Sequence, residues 1–338
     1  MAALPFSQPV PGPTVAVAVV CICSAEHLAH CLDALRSQQD AGTFQIVVCH
    51  DPSITGIELV TRRFPEARIS SNAAERTPLE LAAAVLRSCT ADVILLTEDH
   101  CIPRHDWVRS MLAARAPGRA VVGGRIEIRP GASALDWAFY YADFFRYAAP
   151  VIEGPSPTLT VCNVAYDRAQ LDAIRDVWSG SFEEPAVHNA LRERFGVLWL
   201  TPDSEVAMRR SVSLYAALAE RYAFGRIFGH TRIAHVSTAR RCLYAVVAPA
   251  LPVLLLGRMA MKAVRSSRLA RNFVRGFLPL AAMVLCWSWG EWLGYVTGRP
   301  PHRLALAPEL PSMDVSRPGT ESRSGGQSST TWYSNSRR

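Results

Sequence analysis

Apolar residues along this chain follow two patterns that change over near residue 210. Before it they come in short runs separated by amphipathic stretches. The run VAVAVVCIC, residues 15–23, has no polar break, the pattern of a parallel strand covered on both faces. SAEHLAHCLDALRSQ follows, with Ser24 placed to cap a helix and Leu28, Cys31, Leu32 and Leu35 on one face of it. FQIVVCHDPS reads as a second strand ending in Asp51 and Pro52. A helix over 55–64, a short strand over 67–70, a helix over 79–89 and a strand over 93–97 come next. Strands alternating with helices predict an α/β domain on a mostly parallel, mixed sheet with flanking helices. Such sheets bind ligands at the carboxyl ends of their strands. Asp51 and the triplet Glu98-Asp99-His100 both stand at such ends.

Beyond residue 210 the apolar runs lengthen. Residues 242–257 are 16 without a charge, and 276–290 are 15 more, continuing past Glu291 to Thr297. Between them, residues 258–275 carry six basic side chains and no acid. At 1.5 Å per residue a 16-residue run reaches about 24 Å, short of the roughly 30 Å hydrocarbon core of a bilayer. Two arrangements follow. A short tilted hairpin would place 258–275 on the side opposite Arg240-Arg241, and the length of the second run favours it. Alternatively the segments dip in or lie in the interface, with every arginine on the cytosolic face.

Charge sharpens this picture. The net charge is +7, composed of −7 over residues 1–208 (17 Arg, 24 acids), +12 over 209–275 (12 Arg, one Lys, one acid) and +2 over the rest (6 Arg, 4 acids). A basic belt interleaved with long apolar runs points to anionic membrane lipids and argues against nucleic acid, which would call for aromatic platforms. No basic residue precedes Arg36, so 15–23 lacks the charged flank of a signal peptide. The nine cysteines form no CxxC pair, which predicts buried, reduced thiols.

The candidate chemistry lies in two acidic clusters. Carboxylates with an imidazole, as in Glu98-Asp99-His100, suit a hard divalent ion, Mn or Mg; the same triplet would also serve as a turn or cap. Glu183-Glu184 precede a helix, where acids complement the dipole or one of them can act as a base. Pro185 places Glu184 just ahead of the helix start, which favours it over Glu183. The spacing of His100 and His188 does not call for zinc.

In this order the segments resemble the family 2 glycosyltransferases of the GT-A fold, over about residues 14–235. LLTEDHCIPRHDW is similar to that family's strand with a DxD motif, and GGRIEI, TVCNVAYDR, FEEPAVHNALRERFG and RYAFGRIFGHTR to its later segments. The resemblance implies a nucleotide-sugar donor held by Asp51 and Asp99, a metal on Glu98 and His100, and Glu184 or Glu183 as base. It also implies an acceptor side with Asn163 and Arg226, and a single displacement with inversion. Two positions depart from the family pattern: an Arg-Asn pair is replaced by Ala82-Ala83, and His50 stands where an acid is common. The resulting expectation is an extended lead-in over 1–13, a transferase domain over 14–235, a membrane-associated region over 236–298 and a disordered polar tail over 299–338. The enzyme would sit on the cytoplasmic membrane, facing the cytosol, and glycosylate a lipid-linked or membrane-proximal glycan. The competing readings are a catalytically degenerate scaffold of the same fold and a nucleotidyltransferase; CSAEHL is not the phosphate loop the latter requires.

Overall fold

The computed structural model describes residues 14–71, 77–233 and 236–299; the lead-in and the tail beyond Arg299 lie outside them. Chain order is β1 (Val15–Cys21), α1 (Ala25–Arg36), β2 (Gln45–His50), α2 (Ile57–Arg63), β3 (Ala67–Ser70), α3 (Pro78–Ser88), β4 (Val93–Glu98) and β5 (Cys101–Pro103). Then come α4 (Trp107–Ala113), β6 (Arg119–Ile128), α5 (Ala134–Phe144), β7 (Gly154–Pro155), β8 (Val164–Asp167), α6 (Arg168–Asp172), α7 (Arg175–Trp178), α8 (Glu184–Phe195) and β9 (Val197–Met208). The last helices are α9 (Leu214–Ile233), α10 (Thr238–Val247), α11 (Leu251–Ala263), α12 (Ser267–Arg275) and α13 (Phe277–Thr297), with a 3-10 turn at Ala248–Ala250 joining α10 to α11.

The strands form one sheet in the order β3-β2-β1-β4-β8-β6-β9-β5, with β7 also on β9. β1 to β4 are mutually parallel, and β8 runs antiparallel between β4 and β6. Every β1 residue is buried, as its unbroken apolar run requires. Ser24 caps α1, its hydroxyl accepting from the His27 amide at 3.2 Å, and Leu28, Cys31, Leu32 and Leu35 are the buried face. Ala82 and Ala83 are buried on α3, so the two alanines serve as core packing. All nine cysteines are free thiols, six of them buried.

The C-terminal helices are laid against the sheet domain. α9 and α13 run side by side, and four glycines set their spacing. A Cβ at Gly225, Gly229 or Gly290 would collide with the carbonyl oxygen of Trp287, Glu291 or Tyr222, and one at Gly294 would stand 2.7 Å from that of Arg226. The pairings advance together along both helices, so they are parallel, both leading away from the sheet domain. Thr238–Ala263 is one nearly continuous helix, mostly exposed, and the one described helix long and apolar enough to cross a membrane; α12 and α13 meet at a 74° bend.

This arrangement corrects the expected hairpin. Residues 258–275, the end of α11, a short turn and α12, dock on the sheet domain: Lys262 Nζ donates to Pro150 O at 2.7 Å, Arg268 to Glu127 at 2.9 Å, and Tyr141 OH to Leu269 O at 2.8 Å. Arg240 and Arg241 lie at the opposite end, where Arg241 donates to the Tyr295 and Val296 carbonyls at 2.6 Å each. The reason is the length of α9. Its 20 residues carry the chain about 30 Å outward before residue 238 begins the return.

Candidate active site

The parallel register of β1 with its two neighbours brings three strand ends to one edge. Cys21 is opposite His50, and Val20 is opposite Glu98. The next residues continue the pattern: Asp51 N donates to Cys21 O and Asp99 N to Val20 O, each at 3.0 Å. Asp51 is half-buried, its Oδ1 accepting from the Ser53 amide at 2.8 Å and hydroxyl at 2.6 Å, which fixes the turn after β2. Asp99 departs from its expected place on the nucleotide side of the cleft. It is wholly buried, and its Oδ2 accepts from the amides of Cys23 at 2.9 Å and Ser24 at 3.2 Å. Its carboxylate therefore ties the loop after β1 to the tip of β4.

Glu98 and His100 remain together. His100 Nε2 lies 3.5 Å from Glu98 Oε2, with Glu98 12% exposed and His100 4%. The backbone fixes this pair: Arg209 N, just past β9, donates to His100 O at 2.8 Å. Because β8 lies beside β4, Cys162 just ahead of it reaches the same spot: Thr97 Oγ1 donates to Cys162 O at 2.8 Å, and Cys162 Sγ donates to Glu98 Oε2 at 3.4 Å. Burial pushes the Glu98 carboxyl up to about 7. Burial alone would lower His100, but the Cys101 and Cys23 thiols and Asp99 raise it well above the usual imidazole range.

Glu184 approaches the same place from the other side. It is the first residue of α8, and its Oε2 accepts from the Val161 amide at 2.8 Å. Consecutive residues of one segment, Val161 and Cys162, thus hold one carboxylate each, Glu184 and Glu98. Burial, with the like charge of Glu98 adding to it, moves the Glu184 carboxyl up to about 8. Glu183 is the cap residue of α8 and makes no side-chain capping bond. Arg146 and Tyr147 also sense the Glu184 charge, and Arg146 further senses Arg258 on α11.

Two expected acceptor-side residues lie elsewhere. Asn163 is fully buried and its amide is consumed internally: Oδ1 accepts from Trp107 Nε1 at 2.7 Å, and Nδ2 donates to Arg125 O at 2.7 Å. It pins α4 and β6 together rather than facing the cleft. Arg226 sits on the α9–α13 seam, bonded to Tyr222 OH at 3.1 Å and Arg299 O at 3.2 Å. His188 is a core histidine, 2.8 Å from Tyr166 OH, and burial lowers it to about 3. The residues that sequence reasoning missed are Cys23, Cys101 and Cys162, whose spacing along the chain carries no signal; only strand adjacency brings them together.

The model of the family described as Glycosyl transferase family 2 matches residues 16–175, a segment that holds the three strand ends, the triplet and Cys162. Over that segment, just under half of the chain, the sequence matches this family of glycosyltransferases. Its fold is that of a mannosyltransferase from Pyrobaculum calidifontis solved with GDP-Man and Mn2+: TM-score 0.54, 15% identity, 84% of this chain and 88% of that one. Residues 1–349 of TarS from S. aureus match at TM-score 0.46 and 12% identity, over 89% of this chain and 100% of that one. GalNAc-T7, solved with UDP, GalNAc and Mn2+, matches at 0.43 and 13%, over 58% and 44%. No curated protein sequence matches.

The glycosyltransferase site offers a hard divalent ion one carboxylate and one imidazole. Their 3.5 Å separation is close to the roughly 3 Å between adjacent ligands of a six-coordinate ion. Two protein donors leave the remaining positions to substrate oxygens and water, so Glu98 and His100 fit such an ion.

Proposed function

We propose that this glycosyltransferase uses a nucleotide-sugar donor, depends on a divalent ion, Mn or Mg, and works by a single inverting displacement on a lipid-linked or membrane-proximal glycan. The observation that carries the reading is the pair of raised carboxyls, Glu98 and Glu184, held on adjacent residues of one segment. Glu98 and His100 would hold the ion, which would supply positive charge to the departing diphosphate. Asp51, at the end of β2, would face the nucleotide. Asp99 holds the loop after β1 in place beneath it. Glu184 would take the proton from the acceptor hydroxyl as the hydroxyl attacks, and its raised pKa suits a base working near neutrality. Glu183, which makes no comparable contact, is the weaker candidate.

The acceptor assignment is supported by the surroundings of Glu184. Arg146 places positive charge beside it, Arg258 of α11 lies near Arg146 in turn, and α11 has an exposed apolar face including Val253, Leu254 and Met261. The catalytic unit would be 14–235 and the membrane-associated unit 236–298. α13 is seamed to α9, which carries Arg226, His230 and Arg232, and crossing the bilayer would take those charges with it. The helices would therefore lie in the cytosolic interface of the cytoplasmic membrane, apolar faces in lipid and arginines toward anionic headgroups. The test is a panel of nucleotide sugars, scored for protection against thermal unfolding with and without Mn2+. A donor that stabilises the protein only with the ion is expected; no protection by any member would sink the reading.

A further inference from the structure

The two nitrogens of His100 face different neighbours. Nε2 faces Glu98, as described. Nδ1 lies 3.7 Å from Cys23 Sγ and 3.8 Å from Asp99 Oδ1, and the three residues each bring one ligand atom within 4.8 Å of the others. Asp99 Oδ1 is buried and has no hydrogen-bond partner, although its sister oxygen holds two amides. Its nearest positive group, the His100 imidazole at 3.8 Å, is too far for a hydrogen bond, so a metal ion at this spot would pair the oxygen more closely.

We propose that Cys23, Asp99 and His100 Nδ1 form a zinc site. A thiolate, an imidazole and a carboxylate are the ligand types that zinc takes, and the thiolate disfavours Mn and Mg. With Zn–S near 2.3 Å and Zn–N and Zn–O near 2.0–2.2 Å, tetrahedral ligands stand roughly 3.5 Å apart, a few tenths of an ångström inside the two distances from His100 Nδ1. Binding forms Zn–S and Zn–N bonds and releases the Cys23 proton and the His100 Nδ1 proton to solvent. Three protein ligands leave a fourth position open, and half-buried Cys23 provides the way in. The consequence is positional: zinc on Nδ1 would lock the imidazole with Nε2 toward Glu98 and clamp the loop after β1 to the tip of β4. The inference rests on these donor atoms alone and holds whether or not the proposed substrates are right.

His100 also belongs to a rival cluster with Cys101 and Cys162, so the test must separate the two. The purified full chain, stripped with a chelator, is titrated with Co2+ and then Zn2+. One equivalent of Co2+ should bind with a near-ultraviolet thiolate-to-metal charge-transfer band, and Zn2+ should displace it and raise Tm. Cys23→Ser should abolish the band and weaken zinc at least about tenfold, whereas Cys162→Ser should keep both. In the unmutated chain, zinc should protect Cys23 from iodoacetamide, read by peptide mass spectrometry. Absence of the band, or its loss in Cys162→Ser with retention in Cys23→Ser, or unprotected Cys23 at saturating zinc, would overturn the proposal.

Discussion

Replacing Glu184 by glutamine tests the proposed base in both rate and stability. The carboxyl sits at about 8, raised by burial from its ordinary value near 4.5. At pH 7 only about one molecule in ten then carries the ionised base, so kcat/KM should climb about tenfold per pH unit up to a plateau near pH 8. The kcat limb should lie lower, because a bound ion next to Glu98 favours the carboxylate form. Stability runs the opposite way. A carboxyl whose folded pKa is above its unfolded one contributes stability that is complete below about pH 4.5 and is lost as pH rises through 8. The ceiling of that loss is about 5 kcal/mol, from about 3.5 pH units at 1.36 kcal/mol each. Glu184 keeps part of its surface in solvent, which trims the loss to on the order of 2 kcal/mol. Glutamine mimics the protonated acid and escapes it. Initial rates of sugar transfer between about pH 6 and pH 9.5, with thermal unfolding at about pH 5 and pH 9, measure both effects. Glu184→Gln should lose about 10²–10⁴-fold in turnover, match the unmutated protein in Tm at the acid end and exceed it at the alkaline end. An activity limb below about pH 6, or a variant less stable than its parent at alkaline pH, would refute the reasoning.

Three further outcomes are expected. Glu98→Ala and His100→Ala should each abolish metal-dependent transfer while the sheet domain stays folded by circular dichroism; full metal-dependent activity in His100→Ala would remove it from the ion's ligands. Gly229→Leu drives a side chain into the Glu291 carbonyl and should cost about 1–3 kcal/mol or more. It should also open α13 to proteolysis; an unchanged Tm would mean that the seam is looser than drawn. A cysteine at Ser267 should resist an impermeant thiol reagent in intact cells, and so should native Cys242 near the far end of the bundle. Labelling of Cys242 alone would indicate a bundle that crosses the membrane, and labelling at 267 would restore the hairpin with its loop outside.

Local chemistry determined much of what the chain does. A run with no polar break specifies a strand covered on both faces, so β1 could be read directly, as could α1 from the Ser24 cap and the spacing of Leu28, Cys31, Leu32 and Leu35. The acids at strand ends were legible because chain direction and sheet class together place them at one edge. What each acid touches was not legible, since that depends on strands far apart in sequence. Strand pairing turned Asp99 inward onto the Cys23 and Ser24 amides, brought Cys162 against Glu98, and closed the Asn163 amide into the core. Pro185 hinted at Glu184 over Glu183, but it is the Val161 amide that holds Glu184 in the site. The C-terminal helical region divides the same way. Its apolar runs and basic belt are properties of composition and can be counted. Which end meets the sheet domain depends on how far α9 carries the chain and on glycines that let α13 lie against its backbone, and those are distances that only the packed tertiary structure supplies.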